Sequence, residues 1–240
     1  MQAIVGILGG MGPEATVHLF RLLVAGTPAE RDQDHVRILV DNNVKVPDRT
    51  AAILGRGEDP LPWLVESARL LERAGADFLV IPCNTAHHWL GALRGCVGIP
   101  ILDMIGATAS AVVANRPILR RVGLLATTGT LMTTLYPTAL ASRGVALVET
   151  TTAEQDAVMA VIYGVKAGDR SERQNLLRVG RGLLARGAEG LILGCTELSL
   201  VDEIREVGCP LFDPLKIIAR RAVEVALDWD GPRGRTSLMS

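Results

Sequence analysis

Two cysteines in similar settings are the residues best suited to chemistry in this 240-residue chain: Cys83 in Cys83-Asn84-Thr85, and Cys195 in Cys195-Thr196-Glu197. A thiolate removes a proton and a thiol returns one. Two cysteines on opposite faces of a carbon can therefore invert its stereochemistry, exchanging roles with reaction direction. A free thiol ionises near pH ~8.5, so the accepting member must be shifted downward or given a partner. Small polar side chains and loop N–H groups beside each sulfur could bind a carboxylate and stabilise charge developing on the substrate. Cys96 and Cys209 lack any such motif and read as core or surface thiols. There is no C-x-x-C pair, and His87-His88 supplies no zinc-ligand pattern, so neither a metal site nor disulfide staples are expected.

An internal repeat is expected to position the two thiols. Shifting the sequence by 112 residues places Leu71, Gly75, Ala76, Asp77, Leu79, Val80, Ile81 and Cys83 on Leu183, Gly187, Ala188, Glu189, Leu191, Ile192, Leu193 and Cys195, without a gap. Val5–Leu8 likewise echoes Val122–Leu125, and Pro100–Asp103 echoes Pro210–Asp213, in the same order. Short apolar runs at Ile4–Leu8, Val36–Val40, Phe78–Ile81, Ile99–Leu102, Val122–Ala126, Leu191–Leu193 and Leu211–Phe212 read as buried strands. Trp63–Ala74, Gly106–Ala114, Ala153–Gly164 and Ser171–Arg186 carry helical spacing. This alternation predicts an α/β fold of two similar parallel-sheet subdomains. The expected boundaries are 1–105 with the last helix and tail (216–240), and 106–215; the final helix is expected over Leu215–Leu227. Each cysteine then follows the carboxy end of a strand, the edge where open α/β sheets hold ligands, and two halves face to face would aim both thiols into one cleft.

Composition excludes several classes. Hydrophobic residues make up 48% and charged residues 21%, with a formal net charge of −1. No nucleic-acid footprint or anionic-membrane binding is expected from that balance. No apolar run approaches the roughly 20 residues that span a bilayer. The start, Met1-Gln2-Ala3-Ile4-Val5, reads as a first strand and not a signal peptide, so a cytoplasmic location is expected. The segment 228–240, rich in Gly, Arg, Asp and Ser, reads as a frayed tail.

Four motifs in order, Gly9-Gly10-Met11-Gly12-Pro13-Glu14-Ala15-Thr16, Val46-Pro47-Asp48-Arg49-Thr50, Pro82-Cys83-Asn84-Thr85-Ala86-His87 and Gly194-Cys195-Thr196-Glu197-Leu198, resemble the aspartate/glutamate racemase superfamily, and within it the aspartate racemase branch. Glutamate racemases would show an Asp-Ser pair in the first loop and a His after the second Cys-Thr; here Met11 and Glu197 stand there. The resemblance implies two Rossmann- or flavodoxin-like subdomains related by a pseudo-two-fold. It also implies no pyridoxal phosphate or other cofactor, no metal, and commonly a homodimer. Its catalytic pair falls on Cys83 and Cys195, and its substrate contacts on Met11, Arg49, Asn84, Thr85, Thr127, Lys166 and Thr196. Arg49 and Lys166 suit an acidic side chain, because a guanidinium can hold a carboxylate with two parallel bonds. The expected activity is cofactor-independent racemisation of an acidic amino acid, with aspartate first.

Other readings compete. Gly6-x-x-Gly9-x-x-Gly12 after the first strand suggests a dinucleotide loop, but the spacing is not G-x-G-x-x-G, and the acidic Asp41 lies too far along. A single-nucleophile enzyme would use Cys83 with His87 or His88 as base, but a place on a helix face or in a loop explains those residues better. A dicarboxylate isomerase or decarboxylase, or a broad-specificity amino-acid racemase, fits the same scaffold. A binding-only protein would not need both thiols. The apolar spacing within Leu176–Ala185 reads as the inner face of a core helix or a dimer contact.

Overall fold

All five residues of Val5–Gly9 (β1) are buried, the pattern of a parallel strand covered on both faces. The computed structural model describes residues 2–115, 117–169, 171 and 173–229. The chain divides into two units, Met1–Met104 with Leu215–Ser240, and Ile105–Pro214. In the first unit β1 is followed by α1 (Pro13–Gly26), β2 (Ile38–Asn42), α2 (Arg49–Ile53), α3 (Leu61–Arg73), β3 (Phe78–Val80) and α4 (Leu90–Arg94). The second contains all but the first residue of α5 (Met104–Ala114), then β4 (Arg121–Ala126), α6 (Thr128–Met132), α7 (Leu135–Ala141), β5 (Ala146–Val148), α8 (Thr152–Lys166), α9 (Arg173–Ala185), β6 (Leu191–Gly194) and β7 (Leu211–Phe212). The last helix, α10 (Pro214–Leu227), returns to the first unit, where the Ala226 carbonyl accepts from the Ala3 N–H at 3.0 Å.

Both sheets are wholly parallel. The first unit has the order β2-β1-β3, and the second β5-β4-β6-β7. The sequence repeat survives as register. Gly6 lies opposite Leu79 in the first sheet, and its counterpart Gly123 lies opposite Leu191 in the second. A Cβ on Gly6 would come within 2.6 Å of Leu79 Cδ2, and one on Gly123 within 2.7 Å of Leu191 Cδ2, so the same strand contact demands glycine twice. The helix exits repeat as well. Gly75 and Gly187 adopt left-handed φ of 95° and 92°, and the next residues donate back, Ala76 to Leu71 and Ala188 to Leu183, closing the helix as a glycine cap does. Asp77 then accepts from the Ile4 N–H (2.7 Å), and Glu189 from the Arg121 N–H (3.0 Å), tying the residues before β3 and β6 to the starts of β1 and β4.

Helical stripes fill the two cores. Leu64, Ala68 and Leu71 of α3 pack with Leu8, Leu79 and Ile81. Val158, Val161, Ile162 and Val165 of α8 join Leu176, Val179 and Leu183 of α9 around Leu191 and Leu193. Emptying one such leucine site to alanine costs about 2–5 kcal/mol. The apolar spacing within Leu176–Ala185 is thus the inner face of a core helix. A capping box at Thr151 and Glu154 starts α8, and Arg186 holds Glu154 at 2.6 Å. The guanidinium keeps that carboxyl below the usual range, though a partly exposed pair contributes at most about 1 kcal/mol.

The elements differ from the sequence reading in places. Ile99–Leu102 makes only one bridge, between Leu79 and Ile101, and forms no strand of its own. The three-residue β5 is too short to show periodicity, and α1, whose exposed face carries Val17, Phe20 and Val24, lacks a clean apolar–polar contrast. Residues 230–240 of the expected tail lie outside the described residues. No described helix is long and apolar enough to cross a membrane.

Candidate functional site

In the first unit the residues after β3 turn sharply. The Cys83 N–H bonds to the Ile81 carbonyl at 2.8 Å across Pro82, which has no N–H to offer a ladder. Asn84 then caps a short 3₁₀ turn, Thr85–Trp89, and accepts the His87 N–H. Cys83, Asn84, Thr85 and His87 are all buried. Cys83 shares an apolar cluster with Met11, from the loop after β1. α2 packs against the Thr85–Trp89 turn and carries Arg49 at its first position, where the Asp48 side chain caps the helix.

Arg49 is buried and held entirely by carbonyls: Nη1 donates to Val46 and Pro47, and Nη2 to Met11 at 3.1 Å. Its Nε is buried without a hydrogen-bond partner. Neutral carbonyls orient a guanidinium but do not cancel its charge. A buried cation in this state is stabilised by an anion, and a carboxylate fits its fork. Arg49 and Met11 are thereby joined, with the Met11 side chain itself in the core.

The second unit places its residues at the carboxy ends of β4 and β6. Thr127 caps α6, its Oγ1 accepting the Thr130 N–H at 3.1 Å and lying 3.0 Å from the Thr130 hydroxyl. Cys195 follows β6 and precedes the turn Thr196–Leu200, against which α8 packs. Along α8, Gln155 donates to the Ala126 carbonyl, and Met159 Sδ accepts the Thr128 N–H, so this helix passes the end of β4. Lys166 ends α8 about 10 Å further on at 1.5 Å per residue. It is exposed, with its ammonium 5.6 Å from the Tyr163 ring.

Sequence reasoning passed over Glu197 as a site residue. The Cys195 thiol donates to Glu197 Oε2 at 2.9 Å, and the Thr196 hydroxyl to the same oxygen at 3.4 Å. Glu197 is 3% exposed, and its Oε1 is buried without a hydrogen-bond partner. A buried carboxyl bonded to a thiol holds the proton at sulfur within reach of a second acceptor, a setting suited to proton transfer. The signal was present as a carboxylate two residues after a cysteine.

Other candidates separate from this chemistry. Both ring nitrogens of His87 are engaged, Nδ1 with the Cys83 carbonyl (2.8 Å) and Nε2 with the Met104 N–H (3.2 Å), so it is not placed as a base for Cys83. His88 is exposed, its ring edge-on to Trp89. Burial pushes the Cys209 thiol up, and its sulfur faces the Pro210 carbonyl at 3.5 Å, a packing role. Among the described residues no cluster of three or more His, Cys, Asp or Glu could hold a metal ion.

Known proteins share this fold. The structure matches the Picrophilus torridus aspartate racemase with a TM-score of 0.84 and 32% identity, covering 93% of this chain and 94% of that one. An aspartate racemase homologue from Pyrococcus horikoshii OT3 matches with a TM-score of 0.74 at 25% identity, over 95% and 100%. In sequence, a broad specificity amino-acid racemase of Bacillus subtilis (strain 168) is 24% identical over 230 residues, 93% of this chain and 98% of that protein. The model of the Asp/Glu/Hydantoin racemase family matches residues 8–222, and the chain belongs to that family.

Proposed function

We propose that the protein racemises an acidic amino acid, aspartate first, by moving protons at Cα between Cys83 and Cys195 without an organic cofactor. One observation carries the reading: two thiols follow equivalent strands of two sheets with the same register, each with hydrogen-bonding loop groups beside it. Starting from one enantiomer, the Cys83 thiolate takes the Cα proton. The C–H electron pair stays on the substrate and delocalises into its carboxylate. Cys195 delivers its proton to the other face, leaving Cys195 as thiolate and Cys83 as thiol. The opposite enantiomer runs the same steps in reverse. Arg49 binds a substrate carboxylate, completing a buried cation that the protein surrounds only with carbonyls. Glu197 holds the Cys195 proton between turnovers. Met11, Asn84, Thr85, Thr127, Lys166 and Thr196 line the substrate in this reading.

The test is L-aspartate in D2O with no cofactor added, following the Cα–H signal and optical rotation together. Exchange with loss of rotation supports the reading. Silence towards aspartate, glutamate and a wider amino-acid panel, with turnover of an unsaturated diacid, replaces it with an isomerase on the same scaffold. Comparable rates across neutral and acidic amino acids would favour broad specificity, as the Bacillus relative is described.

A further inference from the structure

We propose that His87 is a positioning residue for Cys83: its neutral imidazole clamps the Cys83 carbonyl to the first N–H of α5 and so sets the direction of the sulfur. The inference rests on the reading of Cys83 as one of the two proton-transferring groups. Hydrogen bonding determines the state of the ring. The Cys83 carbonyl can only accept, so Nδ1 carries the proton; the Met104 N–H can only donate, so Nε2 is bare. A second proton would set two donors against each other at Met104. Burial likewise holds the His87 pKa below its ordinary value; Asp103 and the Cys83 and Leu102 carbonyls oppose that shift, and Arg94 adds to it.

The two partners explain why this clamp matters. Met104 opens α5, and its N–H is one of the helix-start donors without an intrahelical acceptor; His87 fills that role from a different segment. The Cys83 peptide is already bonded at its nitrogen to Ile81. Fixing its carbonyl as well leaves the backbone little freedom to rotate, so the Cα–Cβ direction is set. The same peptide plane carries the Asn84 N–H, so the clamp orients a loop donor along with the thiol. The second unit has Ser199 at the equivalent position, and its hydroxyl bonds to Asp213 at 2.7 Å, while the Cys195 carbonyl takes a backbone N–H from Leu198. The histidine clamp therefore belongs to the Cys83 side alone.

Two substitutions separate the two bonds. His87→Asn keeps a donor near the Nδ1 position, and His87→Gln keeps an acceptor near the Nε2 position. Racemisation kinetics, thermal unfolding and the rate of Cys83 alkylation by iodoacetamide, followed on its own peptide by mass spectrometry, are measured for both. A misplacement of about 1 Å at a reacting group costs up to about 100-fold. The expected result is a kcat at least about tenfold lower for His87→Gln with KM within about twofold, an altered Cys83 alkylation rate, and recovery of most of kcat in His87→Asn. Equal losses in both variants that track unfolding temperature would overturn the proposal, as would wild-type kcat and alkylation in both. If the wild type racemises nothing while Cys83 alkylation still changes in His87→Gln and not in His87→Asn, the clamp stands and the racemase reading falls.

Discussion

The Cys83 and Cys195 loops follow equivalent strands, yet they hold their thiols differently. Cys83 is held through its backbone, its N–H on Ile81 and its carbonyl on His87, and the nearby buried charge is the cation Arg49. Cys195, whose carbonyl takes the Leu198 N–H, is also held through the thiol itself, on the buried carboxyl of Glu197. The repeat extends to the strands, the helix caps and the glycine contacts, but not to the charges of the two loops. The two sulfurs therefore sit in different surroundings, Cys83 in an apolar cluster with Met11 and Cys195 on a buried carboxyl.

The largest effect should come from removing either sulfur. Cys83→Ser and Cys195→Ser should each lower racemisation by about 10³-fold or more, within the range of a lost general acid or base. A variant that keeps even a tenth of wild-type activity would break the comparison outright. Next, Arg49→Ala should lower kcat/KM for acidic substrates by roughly 30- to 160-fold, corresponding to the roughly 2–3 kcal/mol of a charged hydrogen-bonded contact, mainly through KM. A smaller effect on a neutral amino acid would tie Arg49 to the acidic side chain; equal effects on both would assign it to the α-carboxylate.

Glu197→Gln should lower racemisation about tenfold and quicken alkylation of Cys195 while leaving that of Cys83 unchanged. The two enantiomers have equal free energy, so kcat/KM must fall by the same factor in both directions, and the asymmetry is read in the alkylation rates. Unchanged alkylation at Cys195 would remove Glu197 from the proton path.

The smallest effect is on stability. With the His87 pKa depressed in the folded protein, the unfolded chain binds more protons below its ordinary value near 6.5. Stability should therefore decline as the pH falls below about 6.5, by at most about 1.4 kcal/mol per pH unit from this group. His87→Asn should flatten that slope between pH 6.5 and 5 in denaturant unfolding; an unaltered slope would assign it to other groups.

The architecture was legible because the internal repeat supplies paired signals. Gly6 and Gly123, Gly75 and Gly187, and Asp77 and Glu189 each face the same steric or hydrogen-bonding demand twice, and a matched pair stands out where a single residue does not. Ile99–Leu102 and β5 were harder. An apolar run does not reveal how much of it finds a partner strand, and three residues show no period. Of the candidate site, the cysteine loops were visible from residue type and spacing. Glu197 and His87 were seen, but their partners were not, because a carboxyl or imidazole is defined by what lies within about 3 Å of it, and that depends on the turn each residue enters.

The chain's own residues determined the strand–helix order, the repeat and the two thiols at strand ends, because periodicity and residue chemistry are local properties. The folded structure alone decided that Arg49 is buried on carbonyls, that Cys195 bonds to a buried carboxyl, and that His87 joins Cys83 to the start of α5. Those facts join segments separated by as many as 38 residues or depend on 3₁₀ turns, and no local rule sets which groups such a fold leaves dry and paired.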